Sequence, residues 1–167
     1  KHAIAFPYGR TGMICLLKAL GLSDAEVLCP SYTCVVVPHA IKYSKNTPIF
    51  VDSAPGSFLM DIDLAREATT PATQAVVATS FFGEPVSLDD YSSYAKDHPN
   101  VFMIQDCAHG FFCTDAGRPV HKQGIAAIYG LNISKLLTSV FGGMVTTDDD
   151  ALAAKLQAIR SEEITGA

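Results

Sequence analysis

Two rhythms of apolar residues alternate along the chain. Short, nearly unbroken apolar runs cover Glu26 to Cys29, Ile49 to Val51, Ala75 to Thr79, Val101 to Ile104, Ile125 to Leu131 and Gly143 to Thr147. Between them apolar positions recur at helical spacing over Met13 to Leu20, Cys34 to Tyr43, a stretch opening at Asp61, Leu88 to Lys96 and Ala151 to Arg160. The first rhythm predicts buried strands, the second helices with one covered face. The punctuation agrees. Gly21 predicts a helix C-terminus, Ser31-Tyr32-Thr33 and Asp148-Asp149-Asp150 predict N-terminal caps, and Pro30, Lys45-Asn46-Thr47-Pro48 and Asp52-Ser53-Ala54-Pro55-Gly56 predict a strand stop and two turns. Strands without polar alternation are covered on both faces, so the pattern predicts an α/β fold of three layers, a mainly parallel sheet between helices.

Composition narrows this picture. A length of 167 residues suits one compact domain, 1–167. Apolar residues make up 49% and charged ones 17%. That charge covers a monomer's surface poorly, so an oligomer or a missing partner domain is expected. The net charge of -5, with basic residues spread thinly, excludes a nucleic-acid stripe. No apolar run is long enough for a bilayer span and no signal-peptide layout opens the chain, so a soluble, cytoplasmic protein is expected. The five cysteines (Cys15, Cys29, Cys34, Cys107, Cys113) form no C-x-x-C pair and read as reduced core thiols, with no metal site. The first residue is Lys1 rather than Met, and Ala3 to Phe6 is already apolar, which suggests a chain cut from a longer protein.

Candidate chemistry gathers at strand ends. Lys135 lies in Gly130-Leu131-Asn132-Ile133-Ser134-Lys135, between an apolar strand and the pair Gly142-Gly143, where it would project into a cleft. Desolvation there lowers a lysine pKa and makes its amine a nucleophile for carbonyl chemistry through a Schiff base. Asp106 and His109 follow one strand, Ser31-Tyr32-Thr33 another, and Gly9-Arg10-Thr11-Gly12 opens a helix whose free N–H groups suit a phosphate. In open α/β sheets such ends converge on ligands. An acid, an imidazole, an amine and a phosphate cradle together fit pyridoxal phosphate. Asp106 would keep the pyridine nitrogen protonated, Lys135 would hold the cofactor and move the proton, His109 would stack on the ring or bond its phenolic oxygen, and Arg10 and Thr11 would take the phosphate. Each residue has a plainer alternative: a solvated lysine, a capping aspartate, a structural histidine, an ordinary loop.

With those residues assembled, the chain resembles the large domain of the type I pyridoxal-phosphate enzymes, specifically the DegT/StrS-type sugar aminotransferases. The motifs that match are the glycine turn and helix at Gly9 to Leu22, Pro30-Ser31-Tyr32-Thr33, Phe50-Val51-Asp52, Phe82-Gly83-Glu84-Pro85, Asp106-Cys107-Ala108-His109, and Ser134-Lys135 followed by Gly142-Gly143. The resemblance implies a mostly parallel seven-stranded sheet and pyridoxal 5'-phosphate as cofactor. It implies catalytic Lys135 and Asp106, with Arg10, Thr11, Tyr32, His109 and Ser134 also at the cofactor. It further implies a homodimer that transfers an amino group from glutamate or glutamine to a keto sugar carried on a nucleotide. A lysine at 135 favours transamination over the related dehydratases, which carry histidine there. Two departures stand out. Gly130 replaces a serine whose hydroxyl binds phosphate in many members, leaving Asn132, Ser134 or Thr11 to compensate. The family's C-terminal small domain is also absent, which makes the chain a large-domain portion, or alternatively a truncated, non-catalytic relative that keeps the fold for binding or assembly.

Overall fold

The computed structural model describes residues 1–165. Its strands and α-helices run β1 His2–Phe6, α1 Gly9–Ala19, β2 Glu26–Pro30, α2 Val36–Tyr43, β3 Thr47–Val51, α3 Ile62–Ala68, β4 Thr73–Thr79, α4 Leu88–Asp97, β5 Phe102–Asp106, β6 Thr114–Asp115, β7 Arg118–Pro119, β8 Ala126–Gly130, β9 Gly143–Thr147 and α5 Asp150–Arg160. Seven strands form one sheet in the order β1-β9-β8-β5-β4-β2-β3, and β6 with β7 makes a separate small hairpin. Pairing is parallel from β8 through β5, β4 and β2 to β3, while β9 is antiparallel to both its neighbours.

Alternate residues of the central strands explain the unbroken apolar runs. Val27, Cys29, Ala75, Val77 and Ile104 pack against α1, α2 and α5, whereas Leu28, Val76, Ala78 and Met103 pack against α3 and α4. Both faces are therefore dry, as the missing polar alternation predicts. Helix ends follow their local chemistry. Gly21, at φ 78°, gives its N–H to Lys18 O while Leu22 N–H reaches Leu17 O, the paired bonds of a left-handed C-terminal cap. Asp61 accepts from Asp63 and Leu64 N–H, and Asp149 accepts from Leu152 N–H at 2.8 Å. Asp149→Ala is expected to cost about 1 kcal/mol, a Tm drop of about 2–4 °C in a thermal melt.

Several expectations need correction. Pro30 does not stop β2 but ends it in register with Val51. It is tolerated because pairing with β4 stops at Leu28, so its missing N–H interrupts no ladder there. Ser31-Tyr32-Thr33 does not cap α2, whose N-cap is Val35 without a side-chain bond; Ser31 Oγ donates instead to Asp52 Oδ1. Helix α1 begins at Gly9, so Gly9 to Gly12 is its first turn and not a loop before it. Strand β1 went unpredicted because only Ile4 and Phe6 of this edge strand are buried, which leaves a short, weak pattern.

Candidate active site

Beyond the C-terminal ends of β4, β5 and β8, the sheet edge, the first turn of α1 and the segment leading into α2 enclose one cavity. Asp106 ends β5 and Lys135 comes from the loop joining β8 to β9, and both line this cavity. Their charges couple across it. Burial pushes the Asp106 carboxyl above the ordinary carboxylate range, against the N–H of Ala108, which donates to Oδ1 at 3.0 Å, and the Lys135 ammonium. Burial likewise holds the Lys135 amine below the ordinary lysine value, opposed by Asp106 and Cys34. A lysine so placed deprotonates more readily than a solvated one, as a nucleophile or proton carrier requires.

Local structure fixes where Lys135 sits. Leu131 N–H donates to Gly142 O and Ser139 N–H to Leu131 O, closing the loop at its neck. Asn132 Oδ1 accepts from Ser134 N–H and Oγ, and Lys135 N–H donates to Asn132 O, so Asn132 winds the turn that presents the lysine. The Lys135 side chain then lies over Gly130, where an added Cβ would come 3.2 Å from Lys135 Cε. A side chain at position 130 would need the end of the lysine to give way by a few tenths of an ångström.

Helix α1 reaches the cavity through its N-terminus. Its first intrahelical bond is Gly12 N–H to Tyr8 O, so the N–H groups of Gly9, Arg10 and Thr11 precede the ladder. The helix comes this close because Gly9 packs on β8, where a Cβ would sit 3.2 Å from Tyr129 O.

Of the residues picked out from the sequence, Arg10, Asp106, His109 and Lys135 line the cavity, while Thr11, Tyr32 and Ser134 do not. Thr11 is partly buried in the first turn of α1, and Ser134 serves the loop turn. Tyr32 is exposed and joins an aromatic chain, packing on Phe81 at 5.2 Å, which stacks on His109 at 5.1 Å and 16°. Partial burial, with Lys135 second, lowers the His109 pKa and favours the neutral imidazole. Cys34 and Thr79 are among the lining residues not picked out from the sequence. Cys34, expected in the core, is exposed on the cavity wall. Thr79 is buried at the end of β4, and its Oγ1 has no hydrogen-bond partner among the described residues. Among the described residues no group of three or more His, Cys, Asp or Glu is placed to hold a metal ion, and no helix is long and apolar enough to cross a membrane.

Known proteins share this architecture. The chain is 32% identical over 163 residues to a GDP-perosamine synthase of Caulobacter vibrioides, covering 97% of this chain and 44% of that protein. Among solved structures it superposes on DesI, crystallised in the presence of its TDP-sugar product, with a TM-score of 0.91 and 33% identity over 100% of this chain and 43% of that one. It also superposes on DesV of S. venezuelae, with a TM-score of 0.89 and 27% identity over 96% of this chain and 43% of that one. The chain thus spans less than half the length of these relatives. The model of the DegT/DnrJ/EryC1/StrS aminotransferase family matches residues 1–166, from the edge strand β1 through the lysine loop and α5, and the chain belongs to that family.

Proposed function

We propose that the chain is the cofactor-binding large-domain portion of a pyridoxal-phosphate-dependent sugar aminotransferase, taking its amino group from glutamate or glutamine and delivering it to a ketone on a nucleotide-linked sugar. The observation that carries this reading is the meeting of Asp106 and Lys135, far apart in sequence, in one cavity. The donor set suits the cofactor: a buried carboxylate for a protonated ring nitrogen, an amine of lowered basicity for an aldehyde, and helix N-terminal amides for a phosphate. Pyridoxal phosphate, when bound, supplies the aldehyde and the ring that accepts electrons as the substrate carbon loses its proton.

The residues of the chain do the rest. Asp106 would keep the ring nitrogen protonated by offering it a negative charge. Lys135 Nζ would hold the cofactor and would carry the proton that moves during transfer. His109, stacked on Phe81, would cover the ring, and the first turn of α1, with Arg10 and Thr11, would receive the phosphate. Ser134 and Tyr32 act from outside the cavity, Ser134 by fixing the lysine turn and Tyr32 by bracing Phe81. Assembly with a second copy belongs to the same reading, supported by exposed Ile133, Leu136 and Phe141 on the lysine loop. A nucleotide-linked substrate is supported by two relatives: DesI was crystallised with a TDP-sugar product, and the Caulobacter protein is a GDP-perosamine synthase.

Adding pyridoxal phosphate is expected to produce a visible absorbance band that borohydride bleaches, leaving the cofactor's mass on the peptide containing Lys135. Label on another lysine, or none, would overturn the assignment. Label on Lys135 without transfer from glutamate or glutamine to any nucleotide keto sugar would favour the non-catalytic alternative.

A further inference from the structure

The stretch that carries Lys135 is held by hydrogen bonds and not by packing. Ile133, Leu136 and Leu137 are exposed, so no buried side chain fixes the backbone on either side of the lysine. The far limb of the loop is tied separately: Ser139 N–H and Thr138 Oγ1 donate to Leu131 O, and Ser139 Oγ donates to Phe141 O. On the near limb, among the described residues, every hydrogen bond made by residues 132–137 involves Asn132. Its Oδ1 accepts from Ser134 N–H at 3.1 Å and from Ser134 Oγ at 2.8 Å, and its carbonyl oxygen accepts from Lys135 N–H at 3.0 Å. Only the last of these survives removal of the side chain.

An asparagine oxygen bonded to the backbone two residues on makes an Asx turn, in which a side-chain acceptor takes the place of a backbone one. Here that turn has a chemical result. It folds the lysine side chain back over Gly130, with Cε 3.2 Å from where a Cβ would stand there, and into the cavity that Asp106 also lines. We infer that Asn132 is the positioning residue of Lys135: its side-chain oxygen, by bonding Ser134 N–H and Oγ, winds the turn that keeps the lysine amine in the cavity. The chemical use of that amine rests on the aminotransferase reading, but the turn does not.

Asn132→Ala deletes the acceptor, whereas Asn132→Asp keeps it. Solvent exchange of the Ser134 and Lys135 amides, followed by NMR in cofactor-free protein, reports the turn directly. One net hydrogen bond is worth about fivefold in an equilibrium, so protection should fall about fivefold in N132A and stay near wild type in N132D. Capture of pyridoxal phosphate at Lys135, followed against pH as growth of the borohydride-sensitive band, then reads the amine. Its plateau reports placement, and its midpoint reports the titratable and charged groups around the lysine, which are Asp106, Cys34, His109 and Arg10. N132A is expected to lower the plateau several-fold with the midpoint unmoved, and N132D to restore the plateau while its added carboxylate raises the midpoint. The Tm of both should stay within about 2 °C of wild type, as for exposed loop positions generally. Protection or plateau unchanged in N132A would overturn the inference. So would a plateau lost equally in N132D, because the amide nitrogen and not the oxygen would then matter, or a Tm lower by several degrees, because Asn132 would then support the fold. Wild type that takes up no cofactor at Lys135 would sink the aminotransferase reading, and the exchange data alone would then decide the turn.

Discussion

Lys135→Ala is expected to lower amino transfer by about a thousandfold, the middle of the range for loss of a positioned proton-transfer group, and to abolish the borohydride-sensitive band. Both effects follow from one placement. The lysine arrives over Gly130 from a loop tied at Leu131 and Gly142, and its amine faces Asp106 inside the cavity. Among the described residues no other lysine or terminal amine lines that cavity. Stability should move the other way. Burial lowers the Lys135 pKa, so the fold disfavours the ammonium at every pH below the ordinary lysine value, and removing it relieves that cost. The Tm of K135A at neutral pH is therefore expected to match or exceed that of wild type. A variant that lost activity together with several degrees of Tm would show the lysine supporting structure more than chemistry, and one that kept the absorbance band would remove it from its role.

Gly143→Ala carries the largest expected effect on stability. Gly143 opens β9 opposite Gly130, directly beneath the start of α1. A Cβ there would run into backbone N and Cα of Gly9 and the carbonyl carbon of Tyr8, atoms that cannot swing aside. The helix must lift from the sheet. Overpacking against fixed backbone costs about 3 kcal/mol, which corresponds to a Tm loss of about 6–12 °C in a chain of this size. The same lift would carry the N–H groups of Gly9, Arg10 and Thr11 away from the cavity. Affinity for a phosphate-bearing ligand, measured well below both melting points, should fall in G143A, whereas Asp149→Ala, remote from the cavity, should leave it intact. Equal affinity in both variants would show that the α1 terminus takes no part in binding.

These two variants separate the parts of the site that were legible in the sequence from those that were not. Lys135, Asp106 and His109 stood out because each follows an apolar strand and breaks its pattern with a charged or imidazole group, and strand ends are where open α/β sheets bind ligands. Gly143 was visible only as half of a glycine pair, since the backbone it must admit belongs to a helix near the other end of the chain. Cys34 was misread as a core thiol because apolar neighbours in sequence, Val35 to Val37, suggested burial, whereas the turn into α2 leaves it on the cavity wall. Thr79 gave no signal at all: as the last residue of an apolar run it looked like β-branched filler.

The chain's own residues determined the alternation of strand and helix, the layering and the ends at which chemistry gathers, because hydrophobic periodicity and turn residues report burial and backbone conformation locally. Only the tertiary structure decided which ends are neighbours. The order β8-β5-β4 brings the lysine loop, Asp106 and Thr79 to a common edge, and the packing of Gly9 against β8 delivers the α1 amides to it. Strand order and register arise from burying both faces of the whole sheet at once, a collective condition that no single stretch of sequence contains.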